Sequence, residues 1–415
     1  MLARHSTALL IAALAVVPAL PAGTAQAGVR QPAVVSQKPV ANTPHVLDGI
    51  VNAIALVGGT VVVGGDFSAV SDAGSNVRLP RQNLFAYDLR TGRVLRDFTP
   101  EVSGPVYALA PGDDATVYVG GSFDFPASAL ALVSLADGSA VTSFDAPAYG
   151  GGVSALVRQG DRLYVGGDFA MIGGTPRTAL ARLDAATGAV DPTFAVEPGN
   201  PRGATVKVYA MAATGDRLAI DGSFTTVDGL RRPQVALIDL VRGRVADWHT
   251  EVYAPSCMSV FPWYVRGLDF SPDGSFFVVV TTGGPAPGTG KLCDSAARFE
   301  TYAKGNDVRP TWVNLTGGDS LYSVAVTGAA VYVGGHQRWL DNPKGSDSAG
   351  PGAVQRPGIG AIHPATGKAL AWNPTRTRGI GVKAFLTTKS GLLVGSDTTK
   401  LGHEYHARIG MFPLP

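Results

Sequence analysis

Two groups of side chains late in the chain have the residue types that chemistry needs. His336 is followed by Arg338, Trp339 and Asp341, and a second run holds Asp397, His403, Glu404, Tyr405 and His406. Imidazoles beside carboxylates are ligands for Zn²⁺ or another transition metal, so His336, Asp397, His403 and His406 are the candidate metal residues. The spacing argues against a protease centre. His403-Glu-Tyr-His406 is not the helical His-Glu-x-x-His pattern, and the reading predicts a loop there. The expectation is therefore no cofactor, with a metal ion only if these side chains converge.

A third group is aromatic. Trp263 and Tyr264, with Tyr253 and Phe261, surround a segment that also holds Cys257. Aromatic side chains on a rigid loop stack on sugar rings or anchor a protein, and otherwise they pack beneath the loop that carries them. The candidate ligand-binding residues are Trp263, Tyr264, His336, Trp339, His403 and His406. Other chemistry lacks its motifs: no Gly-x-Ser-x-Gly elbow, phosphate loop or dinucleotide fingerprint occurs. No catalytic residue is assigned.

The elements that position these groups come from a repeat running along the chain. Its clearest copy is Val153–Val157, then Gly160-Asp-Arg-Leu-Tyr-Val-Gly-Gly-Asp-Phe169, then Leu180–Asp184, Thr187-Gly188 and Val190-Asp-Pro-Thr-Phe194. Apolar and small residues alternate, and Gly-Asp or Thr-Gly turns separate them. The pattern predicts four short strands, A (Val153–Val157), B (Leu163–Phe169), C (Leu180–Asp184) and D (Ala189–Phe194). Strand B recurs at Val61, Val117, Leu218, Val331 and Leu392, with a degenerate copy over Phe276–Thr281. The D-strand aromatic recurs as Phe98, Phe144, Phe194, Trp248, Trp312 and Trp372. Seven A–B–C sets thus meet six D strands. Thr43-Pro-His-Val46 matches Thr99-Pro-Glu-Val102, which places a strand without its blade near Gln37–Asn42. An N-terminal strand that completes the last blade resolves the count and removes open sheet edges.

The Val-Tyr-Val-Gly-Gly-Asp-Phe … Leu-Ala-Arg-Leu-Asp … Thr-Gly … Asp-Pro-Thr-Phe pattern resembles the delta-60 repeat of bacterial β-propellers. Its Gly-Gly followed by a later Trp is similar to kelch repeats. The resemblance implies an all-β propeller of seven four-stranded blades and no catalytic residues, because such motifs describe blade architecture. In that architecture A–B and C–D loops share one face, and B–C and D–A loops the other. The long segments here are B–C loops (68–83, 282–295, 337–358) and D–A loops (199–205, 250–263), all on the second face. Asp66 and Asp168 end their B strands. Arg81, Arg177, Arg232 and Arg356 each precede strand C by three residues, so an Asp–Arg pair is expected to tie B to C.

Composition and the N-terminus set the context. Charged residues are 16 % of the chain and the formal net charge is +2, with no basic run among aromatics, so nucleic acid and membrane surfaces are excluded as partners. Arg4, the apolar stretch Ala8–Leu20 and Ala25-Gln-Ala27 read as a secretory signal at 1–27. Residues 28–47 are then an extension with the closure strand, and 48–415 the propeller. Export makes Cys257 and Cys293, the only cysteines, a disulfide across about 35 residues, worth roughly 3 to 4 kcal/mol. The expectation is a secreted monomer that binds an extracellular protein or glycan through its long-loop face, with no membrane span after signal cleavage. The alternative is a secreted hydrolase, lyase or oxidoreductase working at the channel mouth.

Overall fold

The computed structural model describes residues 28–113, 115–124 and 127–415. The secretory signal expected at 1–27 lies outside the described residues. Within them the regular elements are strands alone.

Seven sheets repeat one order, in which a first strand pairs antiparallel with a second and the second with a third. The first strands are Ile50–Val57, Val106–Pro111, Val153–Gln159, Val208–Ala213, Val265–Phe270, Leu321–Val326 and Ala384–Thr388. In the third sheet the partners are Arg162–Gly167 and Leu180–Asp184. Each first strand packs against the next, and the last packs against the first, so the sheets are arranged in a ring. The expected β-propeller is therefore the observed fold.

The Gly-Gly dipeptide is explained by two close approaches. A Cβ on Gly64, Gly120, Gly166 or Gly334 would meet a valine side chain of the following sheet at 2.4–2.7 Å. The last sheet obeys the same rule across the join, where Gly395 faces Val51 at 2.5 Å. The second glycine lies against a carbonyl at the start of its own inner strand, where a Cβ added to Gly65 would meet Ile50 O at 2.0 Å. The first glycine thus seats one blade in the next, and the second brings the second strand close to the first.

The fourth strand departs from expectation. A ladder forms only at Arg244–Val245 and Trp312–Leu315. Elsewhere the pairing is a single bridge, such as Leu183 with Val190. The turn explains this. Asp184 Oδ1 accepts from the backbone N–H (2.8 Å) and hydroxyl (2.7 Å) of Thr187, and Pro192 then has no N–H for a ladder. The chain leaves the sheet early and inserts Phe194 edge-on against Tyr164, with ring centroids 5.6 Å apart. All six repeated aromatics are buried.

The N-terminal segment joins the last sheet by backbone hydrogen bonds, without forming the strand expected near Gln37–Asn42. Ser36 and Val40 donate to the carbonyls of Pro413 and Met411 in the last sheet at 2.8 and 2.9 Å. Trp372 Nε1 donates to Ser36 O (3.0 Å), and Val35 N to the Tyr332 hydroxyl (3.0 Å).

Several segments expected as loops are hairpins. Ala69–Ser71 pairs with Leu79–Pro80, Trp339–Leu340 with Val354–Gln355, and Lys400–Leu401 with Glu404–Tyr405. Similar hairpins in the third and fourth sheets gain a strand from the preceding connection, Ala148–Tyr149 or Pro198–Gly199. These ribbons form a raised rim. The disulfide Cys257–Cys293 joins a D–A and a B–C connection, with Cα atoms 5.9 Å apart.

The expected Asp–Arg pairs are absent among the described residues. Arg81 Nη2 donates to Leu95 O (3.2 Å), Arg232 Nη2 to Ala246 O (2.9 Å) and Arg356 Nε to Leu370 O (3.1 Å). Arg177 donates to Pro176 O at 3.1 Å. The shortened fourth segments leave carbonyls without ladder partners, and a guanidinium supplies several donors from one half-buried position. Asp168 instead accepts from Gly152 N (2.8 Å) and faces Lys207 Nζ at 3.5 Å.

Candidate functional site: the channel mouth

Each of the first six inner strands carries a β-bulge near its start, between Val51 and Ala53, Val106 and Ala108, Val153 and Ala155, Val208 and Ala210, Val265 and Gly267, and Leu321 and Ser323. The seventh copies the geometry with Lys383 N donating to Gly395 O at 3.0 Å. A bulge leaves one residue out of the ladder and redirects its side chain. The six bulged residues are Asn52, Tyr107, Ser154, Tyr209, Arg266 and Tyr322, Lys383 holds the equivalent position before the seventh strand, and all seven line one central cavity of about 470 Å³.

Position along the strand fixes which end this is. The bulges sit where the inner strands begin, beside the D–A connections, so the cavity opens toward the rim of hairpins. Two residues further along lie Ile54, Leu109, Leu156, Met211, Leu268, Val324 and Phe385, which line both this cavity and a second one of about 210 Å³ at the other end. The channel is thus a polar mouth above an apolar waist. Gly28, Val29 and Asp269 help line the lower opening.

The mouth is electrically uneven. Its lining includes Lys207, Arg266 and Lys383 but no carboxylate. Arg266 lies over Trp263 at 4.1 Å and over Tyr209 at 5.6 Å, and Lys383 Nζ lies 3.6 Å from the Tyr322 ring centre. Neither Arg266 nor Lys383 has a salt-bridge partner among the described residues, whereas Lys207 faces Asp168. Burial and then the nearby Arg266 charge lower the Lys383 pKa to about 8. Behind Arg266, Asp221 stands where other sheets have their first glycine. Burial pushes its carboxyl up to about 8, against the opposing pull of the Arg266 charge. Asp66 and Asp168 act on Tyr107, on the arc opposite Tyr322.

The residues singled out by sequence are dispersed. Trp263 belongs to the mouth through its stack on Arg266, but Tyr264 is fully buried and donates its hydroxyl to Pro255 O at 2.9 Å. Tyr253 is buried with it, so these two rings support the disulfide-pinned connection. His336 is half-buried and edge-on to Tyr322, with centroids 5.6 Å apart. Trp339 lies in a rim hairpin beneath the Arg338 guanidinium at 4.4 Å. His403 is exposed at a hairpin turn with φ 66° and contacts the Thr375 hydroxyl. His406 is buried, with Nδ1 3.2 Å from the Thr43 hydroxyl.

The four candidate metal residues do not converge. Asp397 is occupied by Arg376 and by the Ile380 and Gly381 amides. Among the described residues no three His, Cys, Asp or Glu side chains are arranged to hold a metal. Sequence reasoning missed Asn52, Tyr107, Ser154, Tyr209, Arg266, Tyr322 and Lys383. Their signal was available as the one position that varies freely between two small or apolar residues at each inner-strand start.

Residues 159–194 match the model of a β-propeller domain of unknown function, DUF5122. No curated protein matches the chain. Among solved structures the chain is similar to the WD40 β-propeller domain of Doa1, at 12% identity and TM-score 0.51, covering 91% of this chain and 97% of that one. It is also similar to BamB from Moraxella catarrhalis, at 12% identity and TM-score 0.46, covering 90% and 99%. A computationally designed protein, Ika8, aligns at 13% identity and TM-score 0.49, covering 94% and 100%. At these identities the likeness is one of fold.

Proposed function

We propose that this chain is a secreted, non-enzymatic binding propeller that takes an extracellular glycan or protein ligand at its channel mouth. The seven repeated sheets are read as seven blades of the delta-60 type, with the kelch-like Gly-Gly as the joint between neighbours. The observation that carries the functional reading is the ring of seven side chains at the bulge position. A repeat maintained only for architecture would place similar residues at equivalent positions, as it does with its glycines. Here the equivalent position holds Asn, Ser, Arg, Lys and three Tyr around one cavity, and two cations without a salt-bridge partner among the described residues stand among them. Desolvating like charges side by side costs stability, and such arrangements cluster at functional sites. The rim of hairpins raises the walls around the cavity, with Trp263 at its edge.

Binding is favoured over turnover by the lining itself, whose titratable groups are cations and phenols without a histidine or carboxylate. The test is to plug the mouth. Ser154 is small, half-buried and part of the cavity wall, so Ser154→Trp fills the space without touching the blade joints. On glycan and extracellular-protein arrays, the wild type is expected to retain specific ligands that Ser154→Trp binds more than tenfold more weakly, with an unchanged circular-dichroism spectrum. Equal binding by the two proteins contradicts the reading.

A further inference from the structure

The side chains at the mouth also specify a ligand class, an inference that rests on the channel reading above. Three requirements are written into the wall. Arg266, on the fifth inner strand, and Lys383, just before the seventh, are cations with no salt-bridge partner among the described residues, so they call for a negative charge. Their geometry is fixed in advance. The guanidinium lies over Trp263 at 4.1 Å with the adjoining Tyr209 ring at 5.6 Å, and the ammonium rests 3.6 Å from the Tyr322 ring centre. A guanidinium held flat in this way is matched to a planar two-oxygen acceptor, and the ammonium adds a second donor beside it.

Around the cations, Asn52, Ser154 and Ser323 share the wall with the phenols of Tyr107, Tyr209 and Tyr322. Asn52 Nδ2 already donates to Val106 O (3.2 Å) and Ser323 Oγ to Val382 O (3.0 Å), which leaves the Asn52 carbonyl, the Ser154 hydroxyl and the phenols to face a ligand. A polyol would satisfy them. The tyrosines add ring faces that suit the C–H surface of a pyranose. Charge also gives direction, because Asp66 and Asp168 stand near Tyr107 on the opposite arc. An anionic group is attracted to the arc of the fifth to seventh sheets and repelled from that of the first to third.

We propose that the channel mouth binds an acidic sugar of the uronate class, with its carboxylate against Arg266 and Lys383 and its hydroxyls against the phenols, Asn52 and Ser154. The cavity of about 470 Å³ has room for one to a few sugar units, and the apolar waist below it sets a floor. This makes the site a receptor for an end or short segment of an acidic polysaccharide.

Titration calorimetry at physiological salt tests the assignment with five probes: glucuronate, galacturonate, galacturonate trimer, glucose and inorganic sulfate. The expected result is binding of at least one uronate, with glucose at least tenfold weaker and sulfate weaker than the uronate. Arg266→Gln and Lys383→Gln should each lower uronate affinity at least tenfold, and Lys383→Arg should restore most of it. Retention of the wild-type melting temperature in Arg266→Gln and Lys383→Gln separates lost binding from lost folding. Failure of every uronate to bind overturns the proposal, as does glucose binding equally well or sulfate binding as tightly. Those outcomes leave the channel reading standing if Ser154→Trp still abolishes array binding, so the two claims fail separately.

Discussion

Asp221 shows how one residue departs from the repeat and what that costs. It replaces the glycine that elsewhere seats the neighbouring blade, and its carboxylate sits fully buried with Oδ1 accepting from Ala210 N at 3.1 Å. Oδ2 has no partner. Burial raises its pKa from 3.8 to about 8. The folded state therefore holds a proton that the unfolded chain releases above pH 4, and folding stability falls as pH rises from about 4 to about 8. Asp269 and Asp294, both pushed by burial to about 7, add to the same slope. Asp221→Asn keeps the acceptor and removes the ionisation, so its urea midpoint should decline less than wild type between pH 4 and pH 8. A parallel decline would mean that Asp221 is charged in the fold. None of this was legible in the sequence, where Leu218-Ala-Ile-Asp-Gly-Ser-Phe224 reads as one more second strand. The polar side chain becomes informative only once its neighbour across the blade joint is known.

At the scale of the element, the glycine pair and the bulge divide the work. Gly120 sits 2.5 Å, measured from an ideal Cβ, from Val153 Cγ1 and 3.2 Å from Leu156 Cδ1. Gly120→Ala should cost about 1–3 kcal/mol by overpacking this joint. Gly215→Ala, where an added Cβ meets nothing within 4 Å, should stay within about 0.5 kcal/mol. Equal effects in chemical denaturation would refute the seating role. The strands, their order, the turn residues and the closure were readable because each depends on local alternation and on punctuating glycines. The fourth strands were over-read, since Thr187 and Pro192 end the ladder through side-chain and backbone effects that alternation does not reveal. The arginines before the third strand were misassigned for a related reason. Their partners are carbonyls freed by that early departure, and a carbonyl leaves no mark in a sequence.

At the scale of the molecule, the ring depends on a join between the two ends of the described chain. The segment from Gln31 to Val40 is tied to the last sheet by backbone bonds to Pro413 and Met411, and by Gln31 Nε2 to Thr388 O and Gly391 O at 3.0 and 2.9 Å. A chain lacking residues 1–42 should melt at lower temperature than one lacking residues 1–27 and form soluble aggregates on gel filtration, because the edge of the last sheet is then open. A monomeric protein with an unchanged melting point would show that the join is dispensable. The face with the long connections was legible from loop lengths, whereas the residues gathered at the channel mouth were not. The residues that meet at the mouth are about fifty positions apart and share only a place in the repeat, and closure alone makes them neighbours.

The account rests most heavily on the channel mouth being where the ligand is held, and a crystal structure of the protein with a ligand recovered from the arrays tests this directly. The account predicts ligand density inside the ring of Asn52, Tyr107, Ser154, Tyr209, Arg266, Tyr322 and Lys383, in hydrogen-bonding contact with at least one of the two cations. Density confined to the outer rim, around Trp339 or His403, with the mouth empty, would contradict it.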